Sequence, residues 1–269
     1  MVKLAVLGAS GRMGQAILSC LTDHKDLKLT GAVTEPGDAA LGRDAGEYAG
    51  IGSVGVPLTD DRSHALHGAQ VAIDFTLPAA LEANVRGCVD SGTALVIGTT
   101  GLEKKHFETL RAAAQDIPLV YARNMSVGMN VFMNLIERAA AALGPDYDVE
   151  IIEAHHRQKI DAPSGTALEL GERVAAAKGR PLEDLAVYGR HGQVGPRVRD
   201  TIGFAVIRAG SIVGDHTVVF AAPEERLEFA HHAIDRKNFA RGAIRAARWL
   251  AGQPPGLYTM AEVLGLNQE

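Results

Sequence analysis

Val2 to Leu7, a short apolar run rich in branched residues, leads straight into Gly8-Ala9-Ser10-Gly11-Arg12-Met13-Gly14, after which Ile17, Leu18 and Leu21 fall at helical spacing. Few folds accept a strand, a glycine turn and a helix in that order. Small residues in such a turn let backbone N–H groups approach a pyrophosphate at the positive end of the helix. The spacing is G-x-x-G-x-x-G, with a first gap one residue longer than in the common dinucleotide fingerprint, and a tight junction without a ligand is the alternative. Glu35 favours the ligand. It follows a second apolar strand, Leu27 to Val33, and stands 21 residues beyond Gly14, where a carboxylate accepts hydrogen bonds from the adenosine ribose. Its charge repels a 2′-phosphate, and the next residue is Pro36, which cannot pair with one, so NADH is expected in preference to NADPH.

After a glycine-rich stretch to Val56, read as loop, the alternation resumes. Val71–Phe75, Ala94–Ile97 and Pro118–Tyr121 read as buried strands, separated by helices over Ala79–Ser91 and Lys104–Gln115. Strands alternating with helices predict an α/β fold with a Rossmann-type parallel sheet, which binds ligands at the carboxyl ends of its strands. Gly98-Thr99-Thr100-Gly101 and Asn124-Met125-Ser126 each follow such a strand, so both turns belong to the ligand edge and are expected to line the nicotinamide end.

From about Ser126 the texture changes. A long helical pattern runs through Leu143, Val149–Ala154 is a strand, and Phe204–Arg208, His216–Ala221 and Leu227–Ala233 alternate as strands between Gly, Asp and Pro turns. Residues 127–236 are therefore expected to form a second, α+β domain with a mixed sheet. Residues 1–126 form the dinucleotide domain, completed by a helix over Phe239–Leu250 within residues 237–269.

The strand ending near Ala154 delivers Glu153-Ala154-His155-His156-Arg157-Gln158-Lys159-Ile160-Asp161-Ala162-Pro163-Ser164-Gly165-Thr166-Ala167. His155, His156, Arg157 and Lys159 put four potential cations within five residues. Only imidazole exchanges a proton readily near neutral pH, so this is an anion site with an acid in it. Ser164, Gly165 and Thr166 precede a helix-forming run, with Thr166 and Glu169 at capping-box spacing, so unpaired N–H groups are expected to face outward there. A small dicarboxylate can be held at both ends by such a segment. A solvated basic loop is one alternative. A zinc site is another, opposed by adjacent histidines on an extended segment, which point to opposite sides, and no metal is expected.

Composition narrows the class further. A formal charge of -5 with no other basic stripe argues against nucleic acid. Cys20 and Cys88 lie in apolar helix-like stretches and suit buried free thiols better than a disulfide. A strand starting almost at Met1, and no apolar run near ~20 residues, lead to the expectation of a cytoplasmic protein without membrane insertion.

Taken in order, G-A-S-G-R-M-G, G-T-T-G, N-M-S-V-G and E-A-H-H-R-Q-K-I-D-A-P-S-G-T-A make the chain resemble the bacterial dihydrodipicolinate (4-hydroxy-tetrahydrodipicolinate) reductases over nearly its whole length. The later runs I-G-F-A-V-I-R-A-G-S-I-V-G-D-H, E-R-L-E and F-A-R-G-A fit as well, and H-H-x-x-K-x-D-x-P-S-G-T is highly specific to that family. The resemblance implies NADH- or NADPH-dependent reduction of a cyclic unsaturated dicarboxylate in lysine and diaminopimelate biosynthesis, by a homotetramer assembled through the second domain's sheet. It implies that residues 127–236 are the substrate-binding and oligomerisation domain, that His155 donates a proton, that Lys159 is a second donor or electrostatic partner, and that His156, Gly165 and Thr166 bind substrate carboxylates. Gly8, Ala9, Ser10, Gly11, Arg12, Met13, Glu35, Gly98, Thr99, Thr100, Ala122, Arg123, Asn124 and Met125 would hold the dinucleotide.

Three departures from the family pattern stand out. Pro36 replaces a frequent arginine, Arg208-Ala209-Gly210 replaces Arg-Gly-Gly, and Gly214-Asp215-His216 replaces Gly-Glu-His; the last two are expected to touch no catalytic group. Arg236 matches a family arginine near the interdomain cleft, with a surface ion pair as the alternative. Two other readings remain: a different two-domain NAD-dependent dehydrogenase of amino acids or sugars, which needs no double carboxylate grip, and a nucleotide-sensing regulator, which would leave His155 and Lys159 without a role.

Overall fold

The computed structural model describes residues 1–266, which fall into two compact units: Met1–Val127 with the segment from Arg236 onward, and Gly128–Asp235. In the first unit the chain runs β1 (Val2–Leu7), α1 (Arg12–Leu21), β2 (Leu27–Val33), α2 (Ala45–Tyr48), β3 (Leu58–Thr59), α3 (Arg62–Leu66), β4 (Val71–Asp74), α4 (Pro78–Ser91), β5 (Ala94–Ile97), α5 (Lys104–Ala113) and β6 (Pro118–Tyr121). The second unit holds most of α6 (Val127–Leu143), then β7 (Asp148–His155), α7 (Gly165–Ala177), β8 (Ala186–Val187), β9 (Ile202–Arg208), β10 (Gly214–Ala221) and β11 (Arg226–Ala233). The chain then returns to the first unit through α8 (Lys237–Leu250), β12 (Gly256–Tyr258) and α9 (Met260–Leu264).

The first unit is a seven-stranded sheet in the order β12-β6-β5-β4-β1-β2-β3, parallel throughout. Chain order reverses between β1 and β4, so the crevice outside their carboxyl ends is the topological switch point. Both faces are covered, which is why β1, β4 and β5 read as continuous apolar runs rather than alternating ones. Leu4 and Val6 pack with α1 and α8 on one face, while Ala5 and Leu7 pack with α3, α4 and α5 on the other. Each fully buried branched side chain of this kind contributes roughly 1.5–3 kcal/mol. Cys20 and Cys88 are free thiols buried in these layers.

The stretch from Glu35 to Val56 is more ordered than a loop. Asp44 caps α2 by accepting from the N–H groups of Gly46 and Glu47, and it also gathers those of Val54 and Gly55. One carboxylate with several local donors folds a glycine-rich segment that has no hydrophobic period to reveal it.

The second unit is a five-stranded mixed sheet, β11-β10-β7-β9-β8, in which β7 pairs parallel to β9 and antiparallel to β10. Its core, including Phe132, Ile136, Val149, Ile151, Leu170, Phe204, Val218 and Phe220, lies between one sheet face and the helices α6 and α7. Among the described residues no helix is long and apolar enough to cross a membrane.

Candidate active site

The glycine turn sits at the end of β1 and opens α1. A Cβ at Gly14 would stand 2.2 Å from the Gly8 carbonyl oxygen, so the turn closes only with glycine there. A cleft of about 590 Å³ lies beside it, lined among others by Gly8, Ser10, Gly11, Glu35, Asp60, Arg62, Phe75 and Thr76. These residues come from the carboxyl ends of β1, β2, β3 and β4, and their size and glycine edge suit an extended nucleotide. Gly98–Thr100 follow β5 and Ala122–Met125 follow β6, on the same edge of the sheet. Thr99 is buried, with its hydroxyl toward the buried Asp74, and Asn124 accepts the Ser126 N–H at 2.9 Å. The side chains of Ala9 and Met125 are buried in the core, so only their backbone can serve a ligand, whereas Arg12, Thr100 and Arg123 are exposed.

In the second unit the organising residue is Glu153, which the sequence reading had passed over. Its side chain is buried near the end of β7, where the Arg208 guanidinium meets it with two hydrogen bonds of 2.7 Å. The backbone N–H of Ser164 donates to it at 2.9 Å, and His155 Nδ1 donates to it at 2.6 Å. Burial by itself would push this carboxyl up, but the bonds from Arg208, His155 and Ser164 outweigh it and hold Glu153 below the usual carboxylate range. It is therefore an anion that fixes the imidazole tautomer: Nδ1 carries the proton bound to Glu153, which leaves Nε2 free of that bond.

Nε2 has room because of Gly214. A Cβ there would lie 3.1 Å from it. Ala209 donates its N–H to the His155 carbonyl at 2.9 Å, and the His216 ring meets the His155 ring edge to face at 5.1 Å. The expectation that the Arg208–Gly210 and Gly214–His216 segments touch none of the candidate catalytic residues is thus corrected, since both reach His155. β9 and β10 flank β7 on either side, and that placement brings distant sequence onto the histidine. Burial, more than any other influence, pushes the His155 imidazole below its ordinary value; the Glu153 bond and charge oppose this, while Lys159 and Arg208 reinforce it.

The helix mouth also differs in detail from the sequence reading. Ser164 rather than Thr166 is the N-cap of α7, its hydroxyl accepting from the Ala167 N–H at 3.2 Å. Pro163 precedes Ser164, whose extended backbone places it one step outside the helix, so Thr166 is already helical. The Ser164 hydroxyl also shares a hydrogen bond of 3.0 Å with His216 Nε2. Desolvation, aided by the charge of His155, brings the pKa of this buried ring down to about 3. Among the described residues the backbone N–H groups of Gly165 and Thr166 have no partner, and they form the positive end of α7. Lys159 pairs with Asp161 at 2.8 Å, and His156 is half-buried beside His155 at the strand end.

Fold and site together define a nicotinamide-dependent oxidoreductase with a glycine-turn dinucleotide domain and a second domain carrying a carboxylate-oriented histidine. Residues 2–125 match the family model described as dihydrodipicolinate reductase, N-terminus, and residues 128–264 match the one described as dihydrodipicolinate reductase, C-terminus. The chain belongs to the dihydrodipicolinate reductase family. It is 53% identical to a protein of Alkalilimnicola ehrlichii named 4-hydroxy-tetrahydrodipicolinate reductase, over 98% of this chain and 99% of that one. It is 51% identical to the protein of the same name from Pseudomonas fluorescens, over 99% and 100% of the two chains. A solved dipicolinate-bound dihydrodipicolinate reductase from Paenisporosarcina sp. TG-14 shares the fold, with a TM-score of 0.75 at 22% identity over 97% of this chain and 98% of that one.

Proposed function

We propose that this chain reduces 4-hydroxy-tetrahydrodipicolinate to tetrahydrodipicolinate in lysine and diaminopimelate biosynthesis, with His155 as proton donor and NADH preferred to NADPH. The observation that carries the reading is that Glu153 ties the acid and the anion grip together, accepting from His155 Nδ1 and from the N–H of Ser164, the cap of α7. The substrate named for the two relatives has two carboxylates and one acceptor carbon system, and this segment offers partners for each. Gly165 and Thr166 N–H groups and His156 take one carboxylate; Lys159, exchanging Asp161 for substrate, takes the other. When bound, the reduced nicotinamide supplies hydride, held by the glycine turn from Gly8 to Met13, by Glu35, and by Gly98–Thr100 and Ala122–Met125.

The negative charge that develops on the ring as hydride arrives is met by the proton on His155 Nε2. A positioned acid of this kind is worth typically ~10²–10⁴-fold. A bound dianion raises the imidazole pKa that burial has lowered, so protonation is coupled to substrate binding. Glu35 and Pro36 support the preference for NADH. The uncovered face of the second unit's sheet supports self-assembly, for which we propose a homotetramer.

The test is loss of NADH absorbance with freshly generated 4-hydroxy-tetrahydrodipicolinate, run beside amino-acid and sugar substrates with NAD. We expect turnover only of the dicarboxylate, a kcat lowered ~10²-fold or more by His155→Ala, and losses in both kcat and KM for Lys159→Ala. Wild-type turnover by both variants would remove this segment from the mechanism.

A further inference from the structure

Two acids follow β2, and they are held differently. Glu35 is exposed, and its carboxylate has no partner among the described residues. Asp38 is half-buried and moored: the hydroxyls of Ser10 and Thr34 each donate to its Oδ2 at 2.6 Å, and the Ala40 N–H donates to its Oδ1 at 2.8 Å. These bonds, from Ser10 first and then from Thr34 and Ala40, hold the carboxyl below its usual range. Ser10 belongs to the glycine turn itself, so a full negative charge is tethered to the phosphate-binding loop by that loop's own serine.

In this fold a 2′-phosphate on the adenosine ribose projects toward the segment after β2, where it needs cations or hydroxyl donors. Here both hydroxyls on offer are already committed to a carboxylate. Arg62 lines the cleft, but its Nε donates to Asn84 Oδ1 at 2.7 Å, and Arg12 is exposed at the first position of α1. We infer that Asp38 is a specificity-determining residue that fills the 2′-phosphate position with fixed negative charge and engages its donors, so that the dinucleotide lacking this phosphate is selected. The inference rests on the reading of the glycine turn as a nicotinamide-dinucleotide site. It adds that the moored Asp38, and not only the free Glu35, sets the choice, because an unheld carboxylate can swing away from an incoming phosphate.

The test is calorimetric binding of NADH and NADPH, and of 5′-AMP and 2′-AMP as fragments, to the full chain and to Asp38→Asn, Asp38→Ser and Glu35→Gln. Asp38→Asn keeps the acceptor oxygen and removes the charge, and it should improve the NADPH-to-NADH affinity ratio about tenfold; the 2′-AMP-to-5′-AMP ratio should move in the same direction. Equal weakening of both cofactors in the Asp38 variants would make the residue a loop prop and overturn the inference. So would a full shift of the ratio by Glu35→Gln with none from Asp38→Asn. Failure of the wild-type chain to bind either dinucleotide would instead overturn the reading on which the inference stands.

Discussion

At the scale of single residues the site is governed by one buried carboxylate. Glu153 favours the protonated form of His155, so Glu153→Gln should lower the imidazole pKa further. A general acid works only while protonated, and its activity falls as pH rises through its pKa. The alkaline limb of kcat/KM for the dicarboxylate should therefore move to lower pH in Glu153→Gln, with kcat reduced roughly 10-fold or more at neutral pH. A limb that stays in place in a stable variant would deny Glu153 this orienting role. His216 allows a second check. Its folded pKa of about 3 lies below that of a free imidazole, ~6.5, so the unfolded chain binds the proton more tightly. The stabilisation from keeping it neutral is complete above about pH 6.5 and is lost as pH falls toward about 3. Denaturant unfolding of the wild type should weaken across that window, and His216→Phe should show a shallower slope; equal slopes would mean that His216 is not the group being titrated.

At the scale of elements, the start of α7 separates support of the helix from recognition of the anion. Ser164 supports the helix through its cap, whereas the Gly165 N–H is unengaged and a Cβ at Gly165 meets nothing. Proline is accepted at the first helical position, and Ser164 already has the extended backbone that a following proline requires. Gly165→Pro should thus leave the thermal midpoint within a few degrees while raising the KM for the dicarboxylate roughly 10-fold, the effect of one charge-assisted hydrogen bond. An unchanged KM would mean that the α7 mouth does not hold substrate. The elements themselves were largely legible. β1, β5 and β6 announce themselves because the stretches they bury on both faces are apolar, and the glycine turn because close backbone approach tolerates nothing larger. The histidine segment was legible too, since its cations crowd into five residues. Glu153, Arg208, Gly214 and His216 were not, because what joins them is the β9-β7-β10 strand pairing, a register that no local pattern encodes. Short pieces such as α2, β8 and β12 escaped for a different reason: two to four residues carry too little periodicity, and their order comes from side-chain caps and edge pairing.

At the scale of the whole molecule, the sheet of the second unit has a face that its own helices leave uncovered. Val149 and Ile151 of β7 point into the core, so Ile152 between them and Glu153 points away, and it is 36% exposed. Strand register sets Ala205, Ile152, Thr217 and Ala230 in one row across β9, β7, β10 and β11, with Ile207 of β9 beside them and 48% exposed. Small and branched side chains in line make a flat surface able to meet a second copy of itself, and a self-complementary patch gives closed two-fold assemblies. This contact alone pairs two chains, and the homotetramer we propose adds a second, different two-fold contact, for which sedimentation should report a species near four times the 28.4 kDa chain mass. Ile152→Glu puts a charge at the centre of the row and, by symmetry, against its own copy, where an unpaired buried charge costs several kcal/mol. Its side chain faces away from the core, so the folded chain should survive with a near-native circular dichroism spectrum while the assembly falls to smaller species. A wild-type chain sedimenting as a monomer would refute the tetramer outright. A tetramer that persists in Ile152→Glu would show that this face is not where the copies meet.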